Sequence, residues 1–105
     1  MGVWERLDYL SGQTLKTLES QEPFEVIEVS ATGVRIFIYS SLKKRGIYRD
    51  EIEGAWRELQ TKGVITYSDI GRYSKANSDY VAAIIASVPG VSYRIDPLQL
   101  SISTD

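Results

Sequence analysis

Between residues 50 and 90 the chain marks three helix starts in close succession, and that stretch restricts the possible folds more than any other feature. The run "DEIEGAWRELQTKG" (50–63) opens on Asp50 with Glu53 three residues later, the spacing of a capping box, and closes on Gly63. Inside it Ile52, Trp56 and Leu59 form an apolar stripe with Ala55 beside it. Glu53 with Arg57 and Glu58 with Lys62 sit four apart as oriented ion pairs. Helix 50–62 is therefore predicted, its stability coming mostly from burial of Trp56 and its neighbours. After a brief extended link at Val64-Ile65, Thr66 with Asp69 caps a second, shorter helix with Ile70 and Tyr73 inward. "SKAN" breaks it, Ser78 caps a third, and Val81, Ile84, Ile85 and Val88 give that third helix its buried face until Pro89-Gly90 stops it.

Three amphipathic helices of this length need something to pack on, and the flanking sequence offers strands. "FEVIEVS" and "VRIFIYSS" are β-branched and aromatic runs joined by Ala31-Thr32-Gly33, which reads as a hairpin, and "TLKTL" (14–18) reads as a further short strand. Val34, Ile36 and Ile38 point to one face of the second run, Arg35, Phe37 and Tyr39 to the other. Before them, Val3, Trp4, Leu7 and Leu10 recur at helical spacing, with Ser11-Gly12 as the stop. After the helices, "VSYRI" and "LQLSI" alternate around Asp96-Pro97 as a C-terminal hairpin with a loose connection. The expected fold class is α+β: an N-terminal helix and a small antiparallel β-meander (1–41), then three helices and a β-hairpin (50–102). At 105 residues this is one domain.

Composition matters here mainly for what it removes. With no cysteine and no histidine, disulfides, thiolate metal sites, imidazole ligands and the commonest general base are all missing. Ser74 beside Lys75 is a poor nucleophile and base pair, because sequence neighbours do not face one another. Asp50, Glu51 and Glu53 lie at a helix start, where acids are ordinary capping residues. Gly12, Gly33, Gly46 and Gly63 fall singly at turns, so no phosphate-cradling loop is present. A non-enzymatic protein without catalytic, metal or cofactor sites is expected. The N-terminal "MGVWERLDYL" has no apolar run of signal or membrane-span length, which leads to the expectation of a cytoplasmic location with no membrane partner.

Charge is distributed unevenly around a net −2. Residues 31–49 carry Arg35, Lys43, Lys44, Arg45 and Arg49 without a single acid, whereas the first thirty residues carry six acids against Arg6 and Lys16. This mid-chain basic island reads either as a solvated loop or as an anion-facing patch.

The segment 50–102 resembles the winged helix-turn-helix superfamily. Ile70 and Gly71 stand where that family places an aliphatic and a small residue in its first short helix. Ala76 suits the apolar position of the turn, and Val81 and Ile84 match the inward aliphatics of the second; the family's turn glycine is here Lys75. The resemblance implies binding of duplex DNA. The outward face of helix 78–88 offers Asp79, Ala82, Ala83, Ala86 and Ser87, however, and none of these suits a base edge. DNA contact would then fall mainly on phosphates, through Lys43, Lys44, Arg45 and Arg49, Arg72 and Lys75 before the helix, Asn77, Ser78 and Tyr80 at its entrance, and Arg94 on the wing. The alternative is a protein-interaction module, an adaptor or small inhibitor. For it, Ala82, Ala83 and Ala86 are either packed within the domain or offered to another protein, a second copy of the chain included. Both readings remain open on the sequence.

Overall fold

The computed structural model describes residues 3–103. Helix α1 (Val3–Leu7) runs into a single 3-10 turn (Asp8–Leu10), and Val3, Trp4, Leu7 and Leu10 are all buried, as their spacing predicts. The Trp4 indole N–H donates to the Ser30 carbonyl at 2.8 Å, so the ring is fixed over the first hairpin. Strands β1 (Thr14–Lys16), β2 (Pro23–Val29), β3 (Gly33–Ile38) and β4 (Lys43–Tyr48) follow as an antiparallel meander in the order β1-β2-β3-β4. Val34, Ile36 and Ile38 share its buried face with Phe24, Val26 and Ile47. The β2–β3 register slips between Val26 and Glu28, leaving Ile27 as an extra residue and setting Glu28 opposite Arg35. At the start of β3, a Cβ on Gly33 would collide with the Ile47 carbonyl oxygen, and the missing side chain is what lets β4 lie so close.

Strand β4 is the largest departure from the sequence expectation. Lys43, Lys44 and Arg45 of the basic island lie not in a loop but in a strand that runs directly into α2 and pairs along its whole length with β3, from Gly33↔Tyr48 to Ile38↔Lys43. Being an edge strand explains this. Only Ile47 of its side chains is buried, so pairing takes no cation out of water, and the residues need not show apolar alternation.

The second half holds α2 (Arg49–Lys62), β5 (Val64–Thr66), α3 (Tyr67–Tyr73), α4 (Ser78–Ala86), β6 (Val91–Arg94) and β7 (Gln99–Ile102). What the sequence offers as an extended link at Val64-Ile65 is strand β5, and it pairs with β7 in a three-stranded antiparallel sheet of order β5-β7-β6. Helix α2 begins one residue earlier than expected, with Tyr48 rather than Asp50 at its N-cap. The Glu51 carboxylate accepts the Tyr48 backbone N–H at 2.8 Å. Glu53 consequently pairs backwards with Arg49 (3.2 Å) and not with Arg57, while the Glu58–Lys62 pair forms at 3.0 Å. Gly63 ends the helix with φ 81°, a backbone conformation that glycine adopts without a steric penalty. The Thr66–Asp69 capping box forms in both directions, at 3.2 and 2.9 Å. Ser78 is not a cap: it is the first residue of α4, and its hydroxyl donates back to the Ser74 carbonyl at 2.8 Å. A four-residue connection, Ile95 to Leu98, joins β6 to β7.

One apolar core links the two halves, and α4 runs through it. Val81, Ile84, Ile85 and Val88 are buried in this core, and α4 also packs against the first sheet at β1 and Phe24. Ala82 and Ala83 are 0% and 4% exposed and Ala86 is half-buried. Phe24 of β2 meets the Tyr80 ring edge-on at 5.1 Å, and the Tyr9 hydroxyl donates to the Ser87 carbonyl at 2.9 Å. The alanine face is thus buried within this chain's own core, and Ala82 and Ala83 have no surface to offer another protein. None of the described helices is long and apolar enough to cross a membrane.

Candidate nucleic-acid interface

The turn between α3 and α4 is the centre of the expected DNA-facing surface, and it is built around a carboxylate that sequence reasoning assigned only to helix capping. Glu51, on the first turn of α2, accepts the Ser74 hydroxyl at 2.5 Å and the Asn77 amide at 3.1 Å through the same oxygen. Its other oxygen holds the Tyr48 N–H. Ser74, Asn77 and Ser78 are buried. The turn is therefore fastened from below by α2, and Lys75 needs no left-handed backbone to make it: the residues of positive φ lie elsewhere, at Gln21, Leu42 and Asp96 among the non-glycines. Glu51 is legible in sequence only once β4 is known to run directly into α2, since that junction puts it at the third helical position.

Arg45 fastens the same turn from the side. Its guanidinium donates to the Ala76 carbonyl at 3.0 Å and to the Asn77 side-chain oxygen at 3.2 Å, and lies 5.6 Å from the centre of the Tyr80 ring. Strand β4 is thereby brought against the entrance of α4, with exposed Lys75 one residue from Ala76. Alternation along β4 divides the island, however. Lys43 and Arg45 fall on the face of Ile47, toward the core side, and Lys44 projects from the opposite face of the sheet.

The other expected contacts are committed within the chain. Arg49 lies 4.9 Å from the Trp4 ring, donates to the Ala31 carbonyl at 3.2 Å and pairs with Glu53. Arg72 pairs with Glu58 at 2.6 Å and Asp69 at 3.0 Å. Arg94 donates to the Gln99 side chain at 2.8 Å. Asn77 and Ser78 are buried in the turn, and Tyr80 is wedged between Phe24 and Arg45. Asp79, on the first turn of α4, accepts the Tyr67 hydroxyl at 2.8 Å, which raises the Tyr67 pKa and leaves a carboxylate at the mouth of the helix.

Two turns further along the same face of α2, Glu58 is a second dense polar centre. It accepts the Tyr73 hydroxyl at 2.7 Å and the Lys62 and Arg72 cations. The Tyr73 hydrogen bond first, then those of Lys62 and Arg72, lower its pKa to about 2. The Tyr73 ring lies over Gly54, where a Cβ would strike it, so Tyr73 is half-exposed and not directed into the core as its spacing suggested. Among the described residues no group of three or more acids is arranged to hold a metal ion.

Structure thus brings Arg45 against the α3–α4 turn next to exposed Lys75, with Lys43 on the same face of β4. It separates Lys44, Arg49, Arg72 and Arg94 from them or occupies them with acids, carbonyls and rings. Comparison of the chain with family models, characterised proteins and solved structures finds no match.

Proposed function

We propose that this protein is a non-enzymatic protein-interaction module whose second half is built on the winged-helix plan. Support for the plan comes from the run α2-β5-α3-α4-β6-β7, in which the strand between the first two helices joins the final hairpin in one sheet. The observation that carries the interaction reading is the coverage of α4. A helix that reads DNA must project far enough to enter a groove about 12 Å wide, which is close to its own diameter. Here Ala82 and Ala83 are buried, Tyr80 is held between Phe24 and Arg45 of the first sheet, and Asp79 stands at its mouth to repel phosphate. In this reading the helix-turn-helix is a core element, and binding belongs to the outer surfaces of the sheets.

A second reading has one observation in its favour. By tying β4 to the α3–α4 turn, Arg45 sets the cations of β4 beside exposed Lys75, which suits contact with duplex phosphates. Titration with a 20-base-pair duplex at low and physiological salt separates the two. The module reading expects weak association at low salt and none at physiological salt. Binding that persists at physiological salt, falls steeply as salt rises, and is lost when Lys43, Lys44 and Arg45 are replaced by Ala would establish the phosphate reading instead.

A further inference from the structure

Strand β4 has one side bonded to β3 and one side open, and the phase of the pairing tells which backbone groups face outward. The Arg49 N–H reaches the Thr32 carbonyl at 2.9 Å, one step beyond the Gly33↔Tyr48 pair. Antiparallel pairs alternate between bonded and non-bonded, so Ile47, Arg45 and Lys43 turn their N–H and C=O toward β3. Lys44, Gly46 and Tyr48 turn theirs away. Tyr48 agrees with this phase, since its N–H is taken by Glu51 and not by β3. Lys44 and Gly46 are left with outward donors and acceptors on an open edge. Gly46 is exposed although it has only backbone atoms to expose, and nothing lies within 4 Å of the position its Cβ would occupy.

We infer that β4 is a docking edge for an extended acidic segment of a partner protein, which adds as a fifth strand and bonds to the N–H and C=O of Lys44 and Gly46. This rests on the interaction-module reading and names the chemistry of its partner. Charge chooses the occupant. Lys43, Lys44 and Arg45 lie along the edge with Arg35 on the neighbouring strand, and residues 31–49 hold no acid. A second copy of the chain would set like charges against one another, the device by which edge strands are kept from pairing with themselves. Asp or Glu at alternate positions of an incoming strand would be drawn to the same cations. Space chooses a further feature. Beside Gly46 the outer sheet face has a depression of about 420 Å³, bordered by Gly33, Arg35, Tyr48 and, at its far side, Glu28. The partner residue opposite Gly46 projects onto this face and can be large, resting against the Tyr48 ring, which is 75% exposed.

The test begins with a phage-displayed random dodecapeptide library selected on the full chain, followed by synthesis of the enriched peptide. Enrichment of acids at every second position around one bulky residue is expected. Binding should slow hydrogen exchange at the Lys44 and Gly46 amides. N-methylation of the peptide amides that face the edge should weaken binding by about tenfold or more, and Gly46→Pro, which removes an outward N–H, should do likewise. N-methylation leaves the protein untouched, so it decides the matter even where the Pro variant folds poorly. Selection of no peptide, or of non-acidic peptides, or unchanged exchange at Lys44 and Gly46 overturns strand addition; peptides that protect another surface do so while leaving the interaction reading in place. Displacement of the peptide by a 20-base-pair duplex or by oligo(dT) at physiological salt overturns both.

Discussion

Glu58 and Glu51 show how much of this protein's polar organisation rests on single carboxylates. The Glu58 side chain is only 10% exposed and gathers one tyrosine and two cations. Its folded pKa of about 2 lies below the ordinary value of 4.5, so its contribution to stability is complete above about pH 4.5 and disappears as pH falls toward 2. Melting temperatures recorded across that window should fall less steeply for Glu58→Gln than for the native chain, and equal slopes would contradict the role assigned to Tyr73, Lys62 and Arg72. Glu51 acts through geometry. Glu51→Ala strips the buried Ser74 hydroxyl and the Asn77 amide of their shared acceptor, and a loss of about 1–3 kcal/mol is expected in urea unfolding. Glu51→Gln, which keeps one acceptor oxygen, should lose less.

Among the elements, α4 and β4 mark the limits of what the sequence makes legible. The apolar face of α4 was plain from Val81, Ile84, Ile85 and Val88, because three-and-four spacing signals burial on one side. Its second buried face was not, since alanine suits water, a helix neighbour or a sheet equally well, and only the first sheet's position decides among them. Ala83→Glu tests that decision: a carboxylate placed under the meander should cost at least about 3 kcal/mol, seen as a large drop in melting temperature of a monomer. An unchanged melting temperature would mean that the face is open. Strand β4 escaped because three adjacent cations carry no period-two signal, and edge pairing asks for none. The missed strand also displaced the cap of α2, for once Lys43–Tyr48 is extended the helix must start at Arg49, with Tyr48 rather than Asp50 at the cap. Expected site residues fared by the same logic. Arg45 reaches Ala76, the residue after Lys75, because the turn lies against β4, whereas Arg72 and Arg94 found partners on neighbouring elements, which spacing in sequence cannot reveal.

At the scale of the whole molecule, the two sheets share α4 as common core material, so neither half has a complete interior alone. A fragment beginning at Arg49 would expose Ala82, Ala83 and the Tyr80 ring. It should bind a hydrophobic dye and show poorly dispersed amide resonances, while a sharp, dispersed spectrum would indicate that the meander is only an appendage. The order of the smaller sheet has a consequence for synthesis. Its outer members β5 and β6 touch only through β7, which follows both of them in the chain. On the ribosome, residues 64–66 must therefore wait, unzipped, until position 102 has cleared the exit tunnel, whereas the meander has all its strands in hand once Tyr48 emerges.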